Sequence, residues 1–252
     1  MKTPLVSVVM AVRNNEQYVA EAIQSILDQS YTNFELIVIS SFDSNKASLD
    51  IIDSFKDRRI VHTRGTPDSA MISDVRNLGI DSAQGIYIAW MDSDYISLPE
   101  RLKTEVEFME THPAIDIAGS YAKTFGKRGG IVMRNPVSND ELKASVLFNA
   151  SMVNPTTIMR LESLKKTGFQ YAKGLKYCED LDFWTRAVRV FKLNTIPKIL
   201  LLYRTHDDQA THRDETFQLS LRDSIFQKQL NFLDMSEDDP KRLIYSQIRT
   251  FG

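Results

Sequence analysis

Short, strongly apolar runs dominate the first hundred residues and restrict the fold more than any other feature of the sequence. A strand covered on both faces reads as a continuous apolar run, whereas a strand with one solvent-exposed face alternates apolar and polar residues. Runs of the nearly continuous kind occur at residues 5–12, 34–39 and 86–91. Amphipathic, helix-like segments separate them, at residues 16–29, 49–55 and 69–83. With a shorter strand expected at 59–63, this alternation predicts an α/β fold built on a mainly parallel, doubly wound sheet.

The second half of the chain is less regular but contains the same two kinds of segment. Strands are expected at residues 115–125, 156–160 and 195–203, and helices at residues 101–110, 138–148 and 179–191. The tail, residues 214–249, is helical in pattern and largely polar. The sequence has no internal repeat and no linker long enough to separate two domains. We therefore expect one domain, 1–213, and a C-terminal helical extension, 214–252, that packs on it or next to it.

Composition excludes several classes of protein. The formal net charge of the 252 residues is −2, so the chain lacks the basic excess that is typical of nucleic-acid-binding proteins. The single cysteine, Cys178, excludes an intramolecular disulfide and a cysteine-rich zinc site, and it fits a reducing compartment. No run approaches the ~20 apolar residues that a membrane-spanning helix needs. We expect a cytoplasmic protein without a transmembrane segment, for which any membrane contact would be peripheral, at the inner face.

Two aspartates follow the apolar run at 86–91. Asp92 and Asp94 flank Ser93 at the carboxyl end of a predicted central strand, where open α/β sheets bind their ligands. The spacing alone is weak evidence, because chance produces roughly one or two such pairs in a chain of this length and aspartate content. The second pair in the chain is Asp180 and Asp182. The position of the first pair after a buried strand favours a binding site over a solvated turn.

Four segments of the chain occur in a characteristic order and spacing. They are VSVVMAVRNNEQYVAEAIQSILDQSYTNFELIVIS, SDVRNLGIDSAQGIYIAWMDSDYISLPERL, CEDLDFWTRAV and LLYRTH. Together they resemble the family 2 glycosyltransferases, which are inverting, nucleotide-sugar-dependent enzymes of the Rossmann-like GT-A fold. The resemblance extends from about Leu5 to about Gln209, most of the chain. It is specific for the fold and for the class of chemistry, and it is nearly silent on which sugar is transferred.

The resemblance implies catalytic and metal-binding roles. Asp94 would bind a divalent cation, Mn²⁺ or Mg²⁺, because hard oxygen ligands suit these ions, and Asp92 would lie near the ribose and the metal. His206 would complete the metal site as a neutral imidazole. Asp180 would be the catalytic base, with its neighbour Glu179 as the alternative. A simpler interpretation, compatible with catalysis, is that these acidic residues stabilise the amino-terminal end of a helix dipole.

The resemblance also implies which residues contact the donor nucleotide. They are Ala11, Arg13, Ser41, Asp43, Asp74, Arg76, Asp92 and Ser93. Arg76 would contact the diphosphate as a planar cation, supported by Asp74. The family usually has an aspartate at the position of Ser41, and that aspartate contacts the nucleotide base; Asp43 is the nearest substitute. A UDP-sugar is therefore the first expectation for the donor, and the change at Ser41 weakens that expectation.

Three functions agree with these motifs. The first is a metal-dependent inverting glycosyltransferase of the hexosyltransferase type, which acts on a saccharide or glycolipid acceptor in bacterial polysaccharide or lipopolysaccharide synthesis by analogy with the family. The second is a degenerate, non-catalytic GT-A binding subunit, which the change at Ser41 favours. The third is a nucleotidyltransferase, but such enzymes usually carry a glycine-rich loop after the first strand, and residues 11–15 contain no glycine. Retention of Asp92, Asp94, Asp180 and His206 together favours the first.

Overall fold

The computed structural model describes residues 4–69, 71–207, 209, 214–235, 239, 241–242 and 245, in which strands and helices alternate as the apolar runs predicted. The strands are β1 (Val6–Val12), β2 (Phe34–Ser40), β3 (Ile60–Arg64), β4 (Tyr87–Asp92), β5 (Ile96–Ser97), β6 (Ile117–Gly126), β7 (Val132–Met133), β8 (Ile158–Arg160) and β9 (Leu193–Thr205). The helices are α1 (Val19–Leu27), α2 (Lys46–Ser54), α3 (Ile72–Ser82), α4 (Arg101–Thr111), α5 (Asn139–Ser145), α6 (Leu161–Thr167), α7 (Glu179–Val190) and α8 (Glu215–Phe232).

The strands form one sheet in the order β3-β2-β1-β4-β8-β6-β9-β5, and β7 pairs with β6. The first four strands are parallel, and Val6 of β1 pairs with Phe34 of β2 and Tyr87 of β4. β8 lies antiparallel between β4 and β6, whereas β6 runs parallel to β9. The predicted α/β class is confirmed. The second half of the sheet mixes both directions, which apolar periodicity cannot reveal because buried strands of either direction share it.

The central strand β4 is covered on both faces. Tyr87, Ala89 and Met91 belong to the core beneath α1 and α4. Ile88 and Trp90 belong to the opposite core, beneath α3 and α7. This burial on both faces explains the unbroken apolar run, because no side chain of the strand before Asp92 faces solvent. Ile86, which the sequence predicted to lie in the strand, precedes it and is 56% exposed.

The start of α1 differs from the prediction. The helix begins at Val19, three residues later than expected, and its N-cap is Tyr18, which makes no side-chain cap hydrogen bond. The predicted caps, Asn14 and Asn15, are engaged elsewhere. Asn14 has a left-handed backbone (φ 47°) and accepts a hydrogen bond from the Asn45 amide, and the Asn15 side chain donates to Ser93. These asparagines therefore connect loops and do not cap the helix.

The C-terminal extension is helical at 215–232, as predicted, and much of the predicted helix beyond residue 235 lies outside the described residues. Helix α8 packs against α7 through a third core. Its buried members are Leu181, Ile225, Phe226, Leu230 and Tyr245. Among the described residues, no helix is long and apolar enough to cross a membrane. The pattern missed β5 and β7, which have two residues each, and α6.

Candidate active site

The carboxyl ends of β1, β2 and β4 lie side by side. Ala11 of β1 pairs with Asp92 of β4, and Val12 pairs with Ser40 of β2. Contacts from His206, which follows β9, and from Glu179, at the start of α7, reach the same edge. This edge therefore collects most of the residues that the sequence singled out.

Residues Asp92, Ser93 and Asp94, here called the aspartate triplet, are each held by a different part of the chain. Asp92 Oδ1 lies 3.4 Å from Arg76 Nη2 on α3. Ser93 Oγ accepts a hydrogen bond of 2.8 Å from the Asn15 side chain, in the loop after β1. The main-chain oxygen of Asp94 accepts a hydrogen bond of 2.9 Å from Arg204 Nε on β9. The triplet is thus an anchored segment, and a solvated turn would not need these three contacts.

Asp94 and His206, two of the predicted metal ligands, contact each other. His206 Nε2 lies 3.2 Å from Asp94 Oδ2, and the imidazole packs against Tyr18 with ring centroids 4.9 Å apart. Burial raises the pKa of Asp94 to about 6, and the neighbouring charge of Asp92 adds to the rise, whereas His206 opposes it. The other ring nitrogen, Nδ1, is buried and has no partner among the described residues. A cation would relieve the unfavourable charge at Asp94.

Asp94 and His206 have the right chemistry to hold Mn²⁺ or Mg²⁺. One carboxylate and one imidazole form an incomplete shell, which substrate phosphates and water commonly complete around these ions. In the described part of the chain, no three His, Cys, Asp or Glu side chains come together as a metal cluster. Asp92, the third predicted ligand, is instead 3.4 Å from Arg76. The two-residue site fits the ion, and the participation of Asp92 stays a prediction.

Arg76 is a buried bridge between the triplet and the predicted base. Its side chain is 7% exposed, and its Nε lies 3.2 Å from Glu179 Oε1 while its Nη2 faces Asp92. The guanidinium lies 5.5 Å from the ring centroid of Trp90 and 5.7 Å from that of Tyr171. Burial works against its charge, but the carboxylates of Asp92 and Glu179 raise the pKa of Arg76 above its usual value. Arg76 therefore stays charged, and its contact with a diphosphate stays a prediction.

The resemblance implied that Asp74 supports Arg76, and in the structure Asp74 makes a different contact. Asp74 Oδ1 accepts a hydrogen bond of 3.2 Å from the Gly174 amide, and no described contact joins it to Arg76. The physical reason is helical geometry, because residues two positions apart on a helix do not face each other. Asp74 therefore holds the loop that contains Gly174 against α3.

Glu179 and Asp180 begin α7 and differ in their surroundings. Glu179 is 9% exposed and paired with Arg76, whereas Asp180 is partly buried and accepts a hydrogen bond of 2.7 Å from the Leu181 amide. Burial raises the pKa of Glu179 to about 7, although Arg76 opposes the rise. Burial likewise raises the pKa of Asp180. Two carboxyl groups that titrate nearer to neutral pH are suited to accepting a proton.

The other acidic and aromatic residues of α7 have structural contacts. Asp182 pairs with Arg186 one turn along the helix, at 2.7 Å. Trp184 is fully buried in the core that also contains Trp90, so stacking against an acceptor is not open to it. The second aspartate pair of the sequence, Asp180 and Asp182, therefore does not face one site.

A third group of predicted residues lies at the ends of β1 and β2. Ser41 Oγ donates a hydrogen bond of 2.6 Å to Asp43 Oδ1, and Arg13 Nη2 lies 2.6 Å from Asp43 Oδ2. The hydrogen bond from Ser41 and the nearby Arg13 lower the pKa of Asp43. Asp43 thus brings a carboxylate to the position of Ser41, where the sequence alone left a hydroxyl.

Sequence reasoning missed three positioning residues, Asn15, Arg204 and Tyr171. Asn15 and Arg204 contact the triplet, and Tyr171, which faces Arg76, donates a hydrogen bond of 2.9 Å to Asn154. Asn15 was considered only as a helix cap. Arg204 had one signal, since it lies near the end of β9, two residues before His206, and alternate side chains of an extended segment share a face.

Comparison with known protein sequences identifies the family. The family model described as Glycosyl transferase family 2 matches residues 7–169. An uncharacterized glycosyltransferase of Haemophilus influenzae is 30% identical over 239 residues, which cover 88% of this chain and 73% of the relative. One from Methanocaldococcus jannaschii is 32% identical over 211 residues, with coverage of 81% and 72%. The O-antigen biosynthesis glycosyltransferase WbnJ of Escherichia coli is 28% identical over 244 residues, with coverage of 91% and 92%.

Solved structures share the fold. The S. aureus TarS 1-349 structure in complex with UDP-GlcNAc has a TM-score of 0.72 at 20% identity, and the match covers 90% of this chain and 71% of that one. In the complex with UDP the match covers 65% of that chain, so our chain spans about two thirds of it. The mannosyltransferase PcManGT from Pyrobaculum calidifontis, in complex with GDP-Man and Mn²⁺, has a TM-score of 0.63 at 13% identity, with coverage of 95% and 67%.

At these identities the structural likeness shows the fold alone, and it confirms the predicted GT-A architecture. The family assignment rests on the sequence comparisons, since the family model spans well over half of the chain and the relatives named as glycosyltransferases align over most of it. The chain belongs to glycosyl transferase family 2 and is a glycosyltransferase.

Proposed function

We propose that this glycosyltransferase is metal-dependent and inverting, and that it moves a sugar from a nucleotide diphosphate to a hydroxyl group. The observation that carries the proposal is the Arg76 bridge, which lies 3.4 Å from Asp92 and 3.2 Å from Glu179. The buried guanidinium of Arg76 therefore lies between Asp92, on the side of the proposed metal, and Glu179, at the start of α7. Inversion needs such a separation, because the base and the leaving group act on opposite faces of the sugar.

Asp180 is the proposed base. It is less buried than Glu179 and does not pair with Arg76, so its carboxylate is the one open to an acceptor. It would take the proton of the acceptor hydroxyl as that oxygen attacks the sugar. Glu179, held by Arg76, would keep the start of α7 in place and is the alternative base.

Asp94 and His206 are proposed to hold the divalent cation, with Asp92 as a further ligand or ribose contact. The cation supplies charge neutralisation at the departing diphosphate. Support comes from the Asp94–His206 distance of 3.2 Å and from the Mn²⁺ in the PcManGT complex.

The donor is proposed to be a UDP-sugar. Asp43 would accept a hydrogen bond from the imide N–H of uracil, and the guanidinium of Arg13 would donate to a carbonyl oxygen of the base, while the Ser41 hydroxyl, which donates to Asp43, would hold that carboxylate in place. The proposal is supported by the 2.6 Å contacts that hold Asp43 and by the UDP-GlcNAc in the TarS complex. Ala11 and Ser93 would line the same donor site, beside Asp92.

The biological role is proposed by analogy with the relatives. WbnJ is described as an O-antigen biosynthesis enzyme, which supports a saccharide or glycolipid acceptor in bacterial surface-polysaccharide synthesis. Such an enzyme would work in the cytoplasm, or peripherally at the inner face of the membrane.

Binding and donor hydrolysis test the proposal separately. Mn²⁺ with UDP should raise the melting temperature of the wild type, and Asp94→Asn should lose most of this rise. Asp180→Asn should keep it but slow Mn²⁺-dependent hydrolysis of a UDP-sugar by about 10² to 10⁴, the usual contribution of a general base. The matched control is Asp182→Asn, on the same helix but paired with Arg186, which should retain binding and hydrolysis.

Two results would overturn the enzyme proposal in different ways. Binding of nucleotide sugars without hydrolysis or transfer by the wild type would favour the non-catalytic binding subunit. No stabilisation by Mn²⁺ with any of UDP, GDP, CMP and their sugars would exclude the proposed donor site.

The base of the nucleotide is tested at Asp43. Asp43→Asn should weaken UDP binding by about tenfold or more, since hydrogen bonds to charged groups are the stronger ones. The control is Asp50→Asn, which removes an exposed carboxylate paired with Lys46 on α2. Equal UDP affinity in both variants, measured by isothermal titration with Mn²⁺ present, would contradict uracil recognition by Asp43.

A further inference from the structure

The segment that leads into the proposed base is held in an unfavourable backbone conformation. Cys178, the N-cap of α7, has φ 55° and ψ 19°, and it makes no side-chain cap hydrogen bond. A non-glycine residue in this left-handed region persists only where its surroundings enforce it. Glu179 and Asp180 follow directly, so whatever holds Cys178 also sets the position of the base.

The contacts that hold this segment come from the start of α8. Tyr177, which is 8% exposed, donates a hydrogen bond of 2.9 Å to Asp214 Oδ2. Lys176 Nζ lies 3.3 Å from the same oxygen and 4.9 Å from the centroid of the Tyr177 ring. Cys178 Sγ lies 3.8 Å from the main-chain oxygen of Gln218. Three consecutive residues therefore contact α8 or its N-cap, Asp214.

Packing continues the same connection on the other side of the base. Leu181, the residue after Asp180, is 5% exposed and shares a core with Ile225, Phe226 and Leu230 of α8. Glu179 and Asp180 are thus bracketed in sequence by contacts with α8. The family model ends at residue 169, so it includes neither α7 nor α8.

We propose that Tyr177 and Asp214 form a latch through which the C-terminal helix positions the base pair Glu179–Asp180. The proposal rests on the proposed function, because it assigns the latch to the base of that reaction. Both residues are positioning residues, since neither faces the aspartate triplet in the described contacts. The extension is then part of the active site, although it lies about 35 residues from the base in sequence.

Two readouts test the latch, and one of them does not depend on catalysis. Cys178 is the only cysteine and lies between Tyr177 and Glu179, so its alkylation rate reports how firmly the segment is held. Burial raises the pKa of its thiol to about 11, which keeps wild-type alkylation slow near neutral pH. Tyr177→Phe should accelerate alkylation by iodoacetamide about fivefold or more, as expected when one hydrogen bond is lost.

The catalytic readout is the hydrolysis of a UDP-sugar with Mn²⁺. Tyr177→Phe should lower kcat about tenfold or more, because a small displacement of a reacting group is costly, while KM and Mn²⁺ affinity stay within about twofold. Asp214→Ala, which removes the acceptor of Tyr177 and also the Lys176 ion pair, should act in the same direction. The double variant should be no worse than Asp214→Ala alone, because the Tyr177 hydroxyl has no role in the latch once its acceptor is gone.

The matched control is Tyr31→Phe, which removes a tyrosine hydroxyl that donates to the Pro4 oxygen, away from α7. It should leave alkylation and kcat unchanged. The latch is overturned if Tyr177→Phe behaves like this control, or if the effects of Tyr177→Phe and Asp214→Ala add. The two readouts also separate the latch from the proposed function. If the variants alkylate faster but the wild type hydrolyses no donor, the contact between Tyr177 and Asp214 stands and the proposed function fails.

Discussion

At the scale of single residues, burial shifts the pKa of ionisable groups in the site away from their ordinary values. Asp94 lies beside Asp92 and His206, and its pKa of about 6 reflects mainly burial and then the neighbouring carboxylate. Arg76 Nη2 lies 3.4 Å from Asp92 Oδ1 and compensates its charge. The site therefore has a carboxylate that is costly to ionise until a cation arrives.

This cost gives the first prediction, a pH dependence of metal binding. The folded-state pKa of Asp94, about 6, lies above its ordinary value of 3.8. The stability that its protonation contributes is therefore fully present below about pH 4 and is lost as the pH rises through 6. A metal ion needs the deprotonated form, so Mn²⁺ affinity in the presence of UDP should fall about tenfold for each pH unit below 6.

Isothermal titration between pH 5 and pH 8 measures this dependence. The control is Asp94→Asn, which should bind Mn²⁺ weakly throughout this range of pH. An Mn²⁺ affinity that is constant from pH 5 to pH 7 in the wild type would contradict a metal role for Asp94.

At the scale of elements, β4 carries the triplet and α4 supports its end. β8 pairs with β4 only at Tyr87 to Ala89, so the Trp90 carbonyl lies beyond the last paired residue. Arg101 of α4, which is fully buried, donates a hydrogen bond of 2.9 Å to that carbonyl oxygen. It also pairs with Glu105 at 2.8 Å, one turn along the helix. The Arg101 side chain thus supplies the donor for the Trp90 carbonyl oxygen that a longer β8 would otherwise supply.

The ion pair gives a prediction about stability. Arg101→Met should lower the free energy of unfolding by about 3–5 kcal/mol, because it leaves Glu105 buried without a cation. Arg101→Met combined with Glu105→Leu should recover most of this loss, since apolar replacement of a buried pair is often neutral. Urea unfolding measures both variants. Equal loss in the single and double variants would show that the Trp90 contact, and not the uncompensated charge, carries the effect.

At the scale of the whole molecule, the C-terminal helix and the sheet domain share a core. Leu181 of α7 packs with Ile225, Phe226 and Leu230 of α8, and Arg189 of α7 also contacts Gln229 and Phe232. The two helices are therefore in contact along their length. The sequence-based division at residue 213 marks a change in composition. The core shared by α7 and α8 joins the domain before this division to the extension after it.

A truncation gives the prediction at this scale. A chain that ends at residue 213 should be less stable by about 1.5–3 kcal/mol, the value of burying one side chain such as Leu181. Full-length protein should unfold in a single transition by circular dichroism and by intrinsic fluorescence. A truncated chain with an unchanged melting temperature would show that α8 contributes nothing to the domain.

Much of the fold was predictable because it depends on local periodicity. The run at 86–91 placed β4 and the strand-end position of Asp92, and the amphipathic pattern at 179–191 placed α7, each within one or two residues. Among the elements that the pattern missed are β5 and β7, which have two residues each and pair with β9 and β6; the third is α6. Element ends also depend on partners, as Asn14 and Asn15 show.

The sequence by itself determined the α/β class and the family, and it placed Asp92 at the carboxyl end of a buried strand, because these follow from periodicity and from the order of motifs. Only the tertiary structure decided how those side chains pair. Arg76 bridges to Glu179 across 103 positions, and Arg204 reaches Asp94 across 110. Arg13 pairs with Asp43 across 30 positions, at 2.6 Å. Such contacts depend on which loops the folded sheet brings together, and local patterns carry no information about that proximity.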